Sequence, residues 1–199
     1  MLLGDFAYAS NSNRCADVSE FVYHGSKDQT LKILKSSTST HGKKWVYATP
    51  DLAVAASFLV RAGDFHFGIG LDDNSVFSIT ERYKDSFALF KGAKGSIYKL
   101  SSDGFLINQT GWNLEVVNPD NVVVLEELPV IDAFDLLQKL ESEGRLKLYY
   151  YPERPSWIPA NDKDLVVKAV LWNEEKQLLK LHPHLKELLQ EVQSQELAP

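Results

Sequence analysis

Between residues 64 and 126 the sequence offers one short extended segment after another and no helical one, which limits the folds open to the chain more than any other feature. Phe65, Phe67, Ile69 and Leu71 alternate with Asp64, His66, Gly68 and Gly70, the period-two pattern of a half-buried strand. Asp72-Asp73-Asn74 supplies a turn. Further short strands are expected at 75–80, 86–90, 96–100, 105–107, 113–117 and 122–125, punctuated by Gly, Asn, Asp or Pro. Parallel neighbours need a crossover long enough to hold a helix, and no such segment lies between these strands. The expected class is α+β, with mixed, mainly antiparallel sheets.

The flanking regions differ in character. Residues 10–19 are polar and turn-rich, so the first twenty read as a loosely held lead-in to a strand at 20–24, after which Asp28 caps a short helix carrying Leu31, Ile33 and Leu34. A hydroxyl-rich loop ends at His41-Gly42, and a strand follows at 45–48. Thr49-Pro50-Asp51 then opens an alanine-rich helix over 50–61, with Thr49 at the cap and Pro50 in the first helical position. Beyond Pro129, Ile131, Phe134, Leu137 and Leu140 repeat at helical spacing up to Gly144, and a strand is expected at 147–151. Pro152, Pro155 and Pro159 make a rigid connector. Asp162 or Asp164 caps a helix through Trp172, and a leucine-rich helical pattern from Glu174 breaks at His182-Pro183-His184. The organisation read from these shifts is a domain over 1–128 and a mainly helical extension over 129–199 packed on it.

Composition excludes several functional classes. With 199 residues, 44% of them hydrophobic, the chain can bury an ordinary core, and its net charge of -6 provides no general positive field to draw in a nucleic-acid backbone. One cysteine, Cys15, permits neither an internal disulfide nor a cysteine-based zinc site, and no metal-ligand spacing is present. There is no basic-flanked export signal and no apolar run of membrane-spanning length, so a cytoplasmic protein without membrane association is expected.

Chemistry enters at Phe21-Val22-Tyr23-His24-Gly25-Ser26. In an extended chain Val22, His24 and Ser26 share one face, so an imidazole and a hydroxyl are presented together, and Gly25 lets another molecule approach the backbone. The plain alternative is a core histidine satisfied by a neighbour. Two later features follow in order: Val46-Tyr47-Ala48-Thr49 leading into the alanine-rich helix, and Asn113-Leu114-Glu115-Val116-Val117.

A histidine, then a tyrosine, then a glutamate on separate strands resembles the ADP-ribosyltransferase superfamily, in particular the branch of the poly(ADP-ribose) polymerase catalytic domain and the rifamycin-modifying ADP-ribosyltransferases. The resemblance covers about residues 20–126. It implies a two-sheet ADP-ribosyltransferase-like core and a glycosyltransferase that cleaves the nicotinamide–ribose bond of NAD, its substrate, and transfers ADP-ribose to an acceptor: protein, nucleic acid, small molecule or water. By this resemblance His24 bonds a ribose hydroxyl, the Gly25 backbone pairs with the nicotinamide carboxamide, and Ser26 contacts the nicotinamide or its ribose. Tyr47 stacks on the nicotinamide ring, Phe58 stands where relatives often carry a second stacking tyrosine, and Glu115 is the catalytic carboxylate. Asn113 shares a strand face with Glu115, and either residue can fall at the acidic position.

Two other readings stand beside this one. Phe58 in place of tyrosine, with the open choice between Asn113 and Glu115, fits a catalytically inactive nucleotide- or protein-binding module of the same fold. A related transferase acting on tRNA 2′-phosphate would need basic residues at the site, and the acidic composition counts against it. His41 and His66, or Lys43 and Lys44 as point charges for a pyrophosphate, are candidates for the same cleft, though loop histidines and solvated lysines are the plainer reading. Glu126-Glu127 reads as a solvated edge, and Tyr149-Tyr150-Tyr151 with Trp157 as packing of the extension onto the domain. The leucine-rich tail either covers part of the core or forms the seam of a homodimer.

Overall fold

The computed structural model describes residues 20–38 and 42–196. The lead-in at 1–19, with Cys15, and His41 lie outside the described residues.

Strands β1 (Phe21–Ser26), β2 (Ile33–Leu34), β3 (Ser37–Thr38) and β4 (Lys44–Ala48) precede helix α1 (Leu52–Ser57). Strands β5 (Phe67–Leu71) and β6 (Phe77–Glu81), a 3-10 helix at Ser86–Leu89, then β7 (Gly95–Ser101), β8 (Leu106–Ile107), β9 (Val116–Asn118), β10 (Val122–Val123) and β11 (Glu126–Val130) follow. Helix α2 (Ala133–Ser142) and strand β12 (Lys147–Tyr149) lead to α3 (Lys163–Trp172), α4 (Glu175–Leu181), a 3-10 helix at Pro183–Leu185 and α5 (Lys186–Glu196). The described chain is α+β. Its sheets run β1-β7-β11, β3-β4-β9-β8, β12-β6-β5 and β10-β2, and every ladder is antiparallel except β12 on β6.

The sheet containing β1 separates two apolar clusters. On one side Val22, Tyr98 and Leu100 meet Val46, Ala48 and Val116 from the second sheet. On the other, Ile97 packs with α1, β5, β6 and α2 through Ala55, Phe67, Ile79, Leu137 and Leu140. Alternate residues of one strand thus feed different cores, as the two-residue period requires. A boundary after residue 128 would cut through β11, and Val130, Leu137, Leu140, Leu146 and Leu148 belong to the same cluster as Phe67 and Ile79. The helices from α3 onward bury a cluster of their own, Leu165, Val166, Ala169, Leu178, Leu185 and Leu189, around Phe65.

Several local expectations are corrected. Residues 28–34 form no helix: Ile33 and Leu34 pair with Val123 and Val122, and Tyr98 Oη accepts the Leu31 N–H at 3.2 Å. The strand expected at 86–90 is a 3-10 helix, whose turn of about three residues suits the inward placement of both Phe87 and Phe90. Glu81, buried in β6, accepts the Phe87 N–H at 2.7 Å and holds the start of that turn. β11 runs through Glu126 and Glu127, and Pro129 is tolerated there because the strand lies at a sheet edge. Glu127 is engaged, accepting from Thr30 N–H and Ser96 Oγ, both at 2.7 Å.

The extension is pinned to the domain by polar groups. Arg82, 2% exposed, donates to Asp164 at 2.6 Å and lies 3.0 Å from Asp162, which also receives Arg154 at 2.9 Å. Asp162 therefore precedes α3 without capping it by its side chain. Tyr149 donates to Asp72 at 3.1 Å, Tyr150 packs edge-on against Phe87, and Trp157 lies over Gly68, so these aromatics pack the connector onto the sheet. The break at 182–184 falls where the sequence places it. His182, fully buried, donates from Nε2 to the Phe65 carbonyl at 2.7 Å, leaving its Nδ1 without a partner. Among the described residues no helix is long and apolar enough to cross a membrane.

Burial holds the His182 imidazole below its ordinary value of 6.5; the Phe65 carbonyl and Asp162 oppose the shift, while His184 and Arg82 add to it. The folded chain refuses a proton that the unfolded chain accepts, so this stability is present above about pH 6.5 and is lost as pH falls through the window below it. Melting temperature should fall on that side, and His182→Gln, which retains a donor for Phe65, should flatten the fall. Parallel curves for the two proteins would contradict the assignment.

Candidate functional site

The site is built where two sheets meet at a single bridge. Tyr23 and Thr49 exchange both backbone hydrogen bonds, at 2.7 and 2.9 Å, and the pairing of β1 with β4 goes no further. Had the ladder continued, Gly25 would face Tyr47. Instead the His24 side chain donates from Nδ1 to the Tyr47 carbonyl at 2.7 Å and takes the acceptor that the ladder would have used. Gly25 has the parity of Tyr23, so its N–H and C=O turn to the side of β1 away from β7, toward the gap.

This gap is a cavity of about 700 Å³. His24, Gly25, Ser26, Tyr47, Phe58 and Glu115 all line it, so residues far apart in the sequence are brought together. Asn113 is not among the residues that line it. Glu115 lies just before β9, not within it: its N–H donates to the Trp112 carbonyl at 3.1 Å, and the turn so formed delivers Glu115 to the cavity.

Two constraints shape the floor. A carbonyl can only accept, so His24 carries its proton on Nδ1, and Nε2 remains an acceptor in the neutral ring. Burial holds His24 below the usual imidazole range, with the Tyr47 bond opposing only in part, which keeps that tautomer in place at neutral pH. Gly25 is required for packing: a Cβ there would come within 1.9 Å of the Ala55 carbonyl oxygen in α1. The small side chains of α1, Ala53, Ala55 and Ala56, all buried, permit this approach.

α1 itself is shorter than the spacing implies. Asp51 is its cap, accepting from Ala53 N–H at 2.7 Å, while Thr49 Oγ accepts from Asp51 N–H and its backbone holds the bridge. Pro50 therefore sits before the cap. The helix stops at Ser57, and Phe58, 45% exposed, turns to Trp112 with ring centroids 6.2 Å apart. Ser26 Oγ accepts from Asp28 N–H at 3.1 Å, which leaves its hydroxyl proton available to a ligand.

Trp112, Leu114, Lys27 and Arg61 also line the cavity and were not anticipated. The available signal was slight: an aromatic next to Gly111 three residues before Glu115, a cation shortly after the first expected strand and another at the end of the expected alanine-rich helix. The other candidates lie elsewhere. His66 bonds Tyr83 Oη at 2.6 Å, Lys43 lies over the Trp45 ring, and neither these two nor Lys44 lines the cavity. Among the described residues no group of three His, Cys, Asp or Glu side chains is placed to hold a metal ion. No family model, curated protein or solved structure matches the chain.

Because the obstruction at Gly25 is backbone, Gly25→Ala must push α1 off β1. Chemical denaturation should show a loss of about 1–3 kcal/mol. An unchanged midpoint and slope would contradict the close approach.

Proposed function

We propose that the chain is an NAD-dependent ADP-ribosyltransferase of the poly(ADP-ribose) polymerase-like kind, cleaving the nicotinamide–ribose bond and passing ADP-ribose to an acceptor. The observation that carries this reading is the convergence of His24, Tyr47 and Glu115 on one cavity edged by the Gly25 backbone.

Each group has a physical counterpart in the substrate. Gly25 offers one donor and one acceptor on the same strand edge, the complement of a primary carboxamide. Tyr47 offers a ring face for the nicotinamide, and Phe58 with Trp112 supplies an aromatic wall beyond it. The Nε2 lone pair of His24 matches a ribose hydroxyl, which must donate.

Departure of nicotinamide takes the electrons of the C–N bond with it and leaves positive charge on the ribose. Glu115, accepting from a ribose hydroxyl, stabilises the charge there more than it does in the ground state, where the positive charge sits on the nicotinamide ring. The acceptor's nucleophilic atom then bonds the anomeric carbon and gives up its proton. The competing reading, a binding module without turnover, draws on Phe58, which keeps the ring and lacks the hydroxyl. Glu115 rather than Asn113 at the cavity favours turnover.

Purified protein incubated with NAD should release nicotinamide. Glu115→Gln should slow release by about 100-fold or more while NAD binding and melting temperature are kept. Tyr47→Ala should instead weaken binding about tenfold. NAD binding without nicotinamide release would favour the module, and neither binding nor release would remove the transferase reading.

A further inference from the structure

Two cations line the cavity from separate elements, Lys27 just past β1 and Arg61 beyond α1, and both are exposed. Among the described residues neither has an ion-pair partner. Glu115 is the one acidic residue against them in the described lining. In a chain of net charge -6, this is a local reversal of sign.

The backbone beneath each cation is fixed. At Lys27, Ser26 Oγ holds Asp28 N–H at 3.1 Å, and Tyr98 Oη donates to the Asp28 carbonyl at 2.7 Å. A Cβ on Gly95 would lie 2.4 Å from the Ser26 carbonyl oxygen, so β7 presses directly on this turn. Past Arg61, His66 N–H donates to the Gly63 carbonyl at 2.9 Å, Lys168 of α3 meets Asp64 at 3.1 Å, and His182 holds the Phe65 carbonyl. Phe65 is 1% exposed among the C-terminal helices. Solvated surface cations need no such seating, whereas a pair that must meet a fixed anion gains from it.

We propose that Lys27 and Arg61 form a diphosphate-binding pair at this cavity, with the C-terminal helices seating the Arg61 side. The planar guanidinium would take two oxygens of one phosphate and the ammonium would act as a point charge on the other. The identity of the ligand as NAD or ADP-ribose rests on the reading above; the affinity for a diphosphate does not.

Calorimetry of the full chain with ADP-ribose, inorganic pyrophosphate and nicotinamide tests the pair. Lys27→Ala and Arg61→Ala should each weaken ADP-ribose binding about tenfold and reduce its salt dependence, with nicotinamide affinity and melting temperature unchanged. Unaltered ADP-ribose affinity, or a parallel loss of nicotinamide, would overturn the pair. Wild-type protein that ignores NAD and ADP-ribose but binds pyrophosphate, lost in the double variant, would remove the NAD reading and keep the pair. Binding of none of the three, or a single-stranded oligonucleotide displacing ADP-ribose, would overturn it.

Discussion

The two hydrogen bonds between Tyr23 and Thr49 are what the remainder of the structure depends on. They join a sheet that packs on α1 and α2 to one that carries Tyr47 and, just before β9, Glu115. A longer ladder would close the gap, while the apolar cluster of Val22, Tyr98, Leu100, Val46, Ala48 and Val116 keeps the two sheets packed beside it. The pairing stops at one bridge, and the His24–Tyr47 bond occupies the acceptor of the next rung. A polar side chain thus does two things at once: it satisfies a strand carbonyl that would otherwise lack its ladder partner, and it belongs to the lining of the cavity.

Burial and function make compatible demands on these residues. Gly25 is small because a helix carbonyl occupies the space of its side chain, and the same absence of Cβ bares the strand edge to a ligand. His24 is neutral because it is desolvated, and a neutral ring with a committed Nδ1 proton is a fixed acceptor. The C-terminal helices, which lack a direct place in the cavity, act on it through the segment from Gly63 to Phe65 that they clamp. Their leucine pattern is spent on that internal cluster around Phe65.

What the sequence discloses follows from how local each signal is. The parity of His24 and Ser26, the β4–α1 transition and the helix break at Pro183 are set by nearest neighbours and are legible. So is the antiparallel bias, because it follows from the lack of crossovers. The length of α1 and the extent of β11 are not, since Asp51 outcompetes Thr49 for the cap only once Thr49 is committed to the bridge, and β11 exists only because β7 is beside it. Glu115 could not be separated from Asn113 by period-two reasoning, because the decisive turn from Trp112 has no strand period at all. Lys27, Arg61 and Trp112 look like ordinary surface residues until tertiary structure places them around one space.

The most direct measurement is a titration of isotope-labelled protein with NAD, followed by NMR of the Gly25 amide and the His24 side-chain nitrogens. The Gly25 N–H resonance should move downfield saturably and His24 Nε2 should shift as a new acceptor, while the Tyr23 amide, locked in its bridge, stays still. Saturating NAD that leaves Gly25 and His24 unmoved would contradict the placement of a dinucleotide between the two sheets.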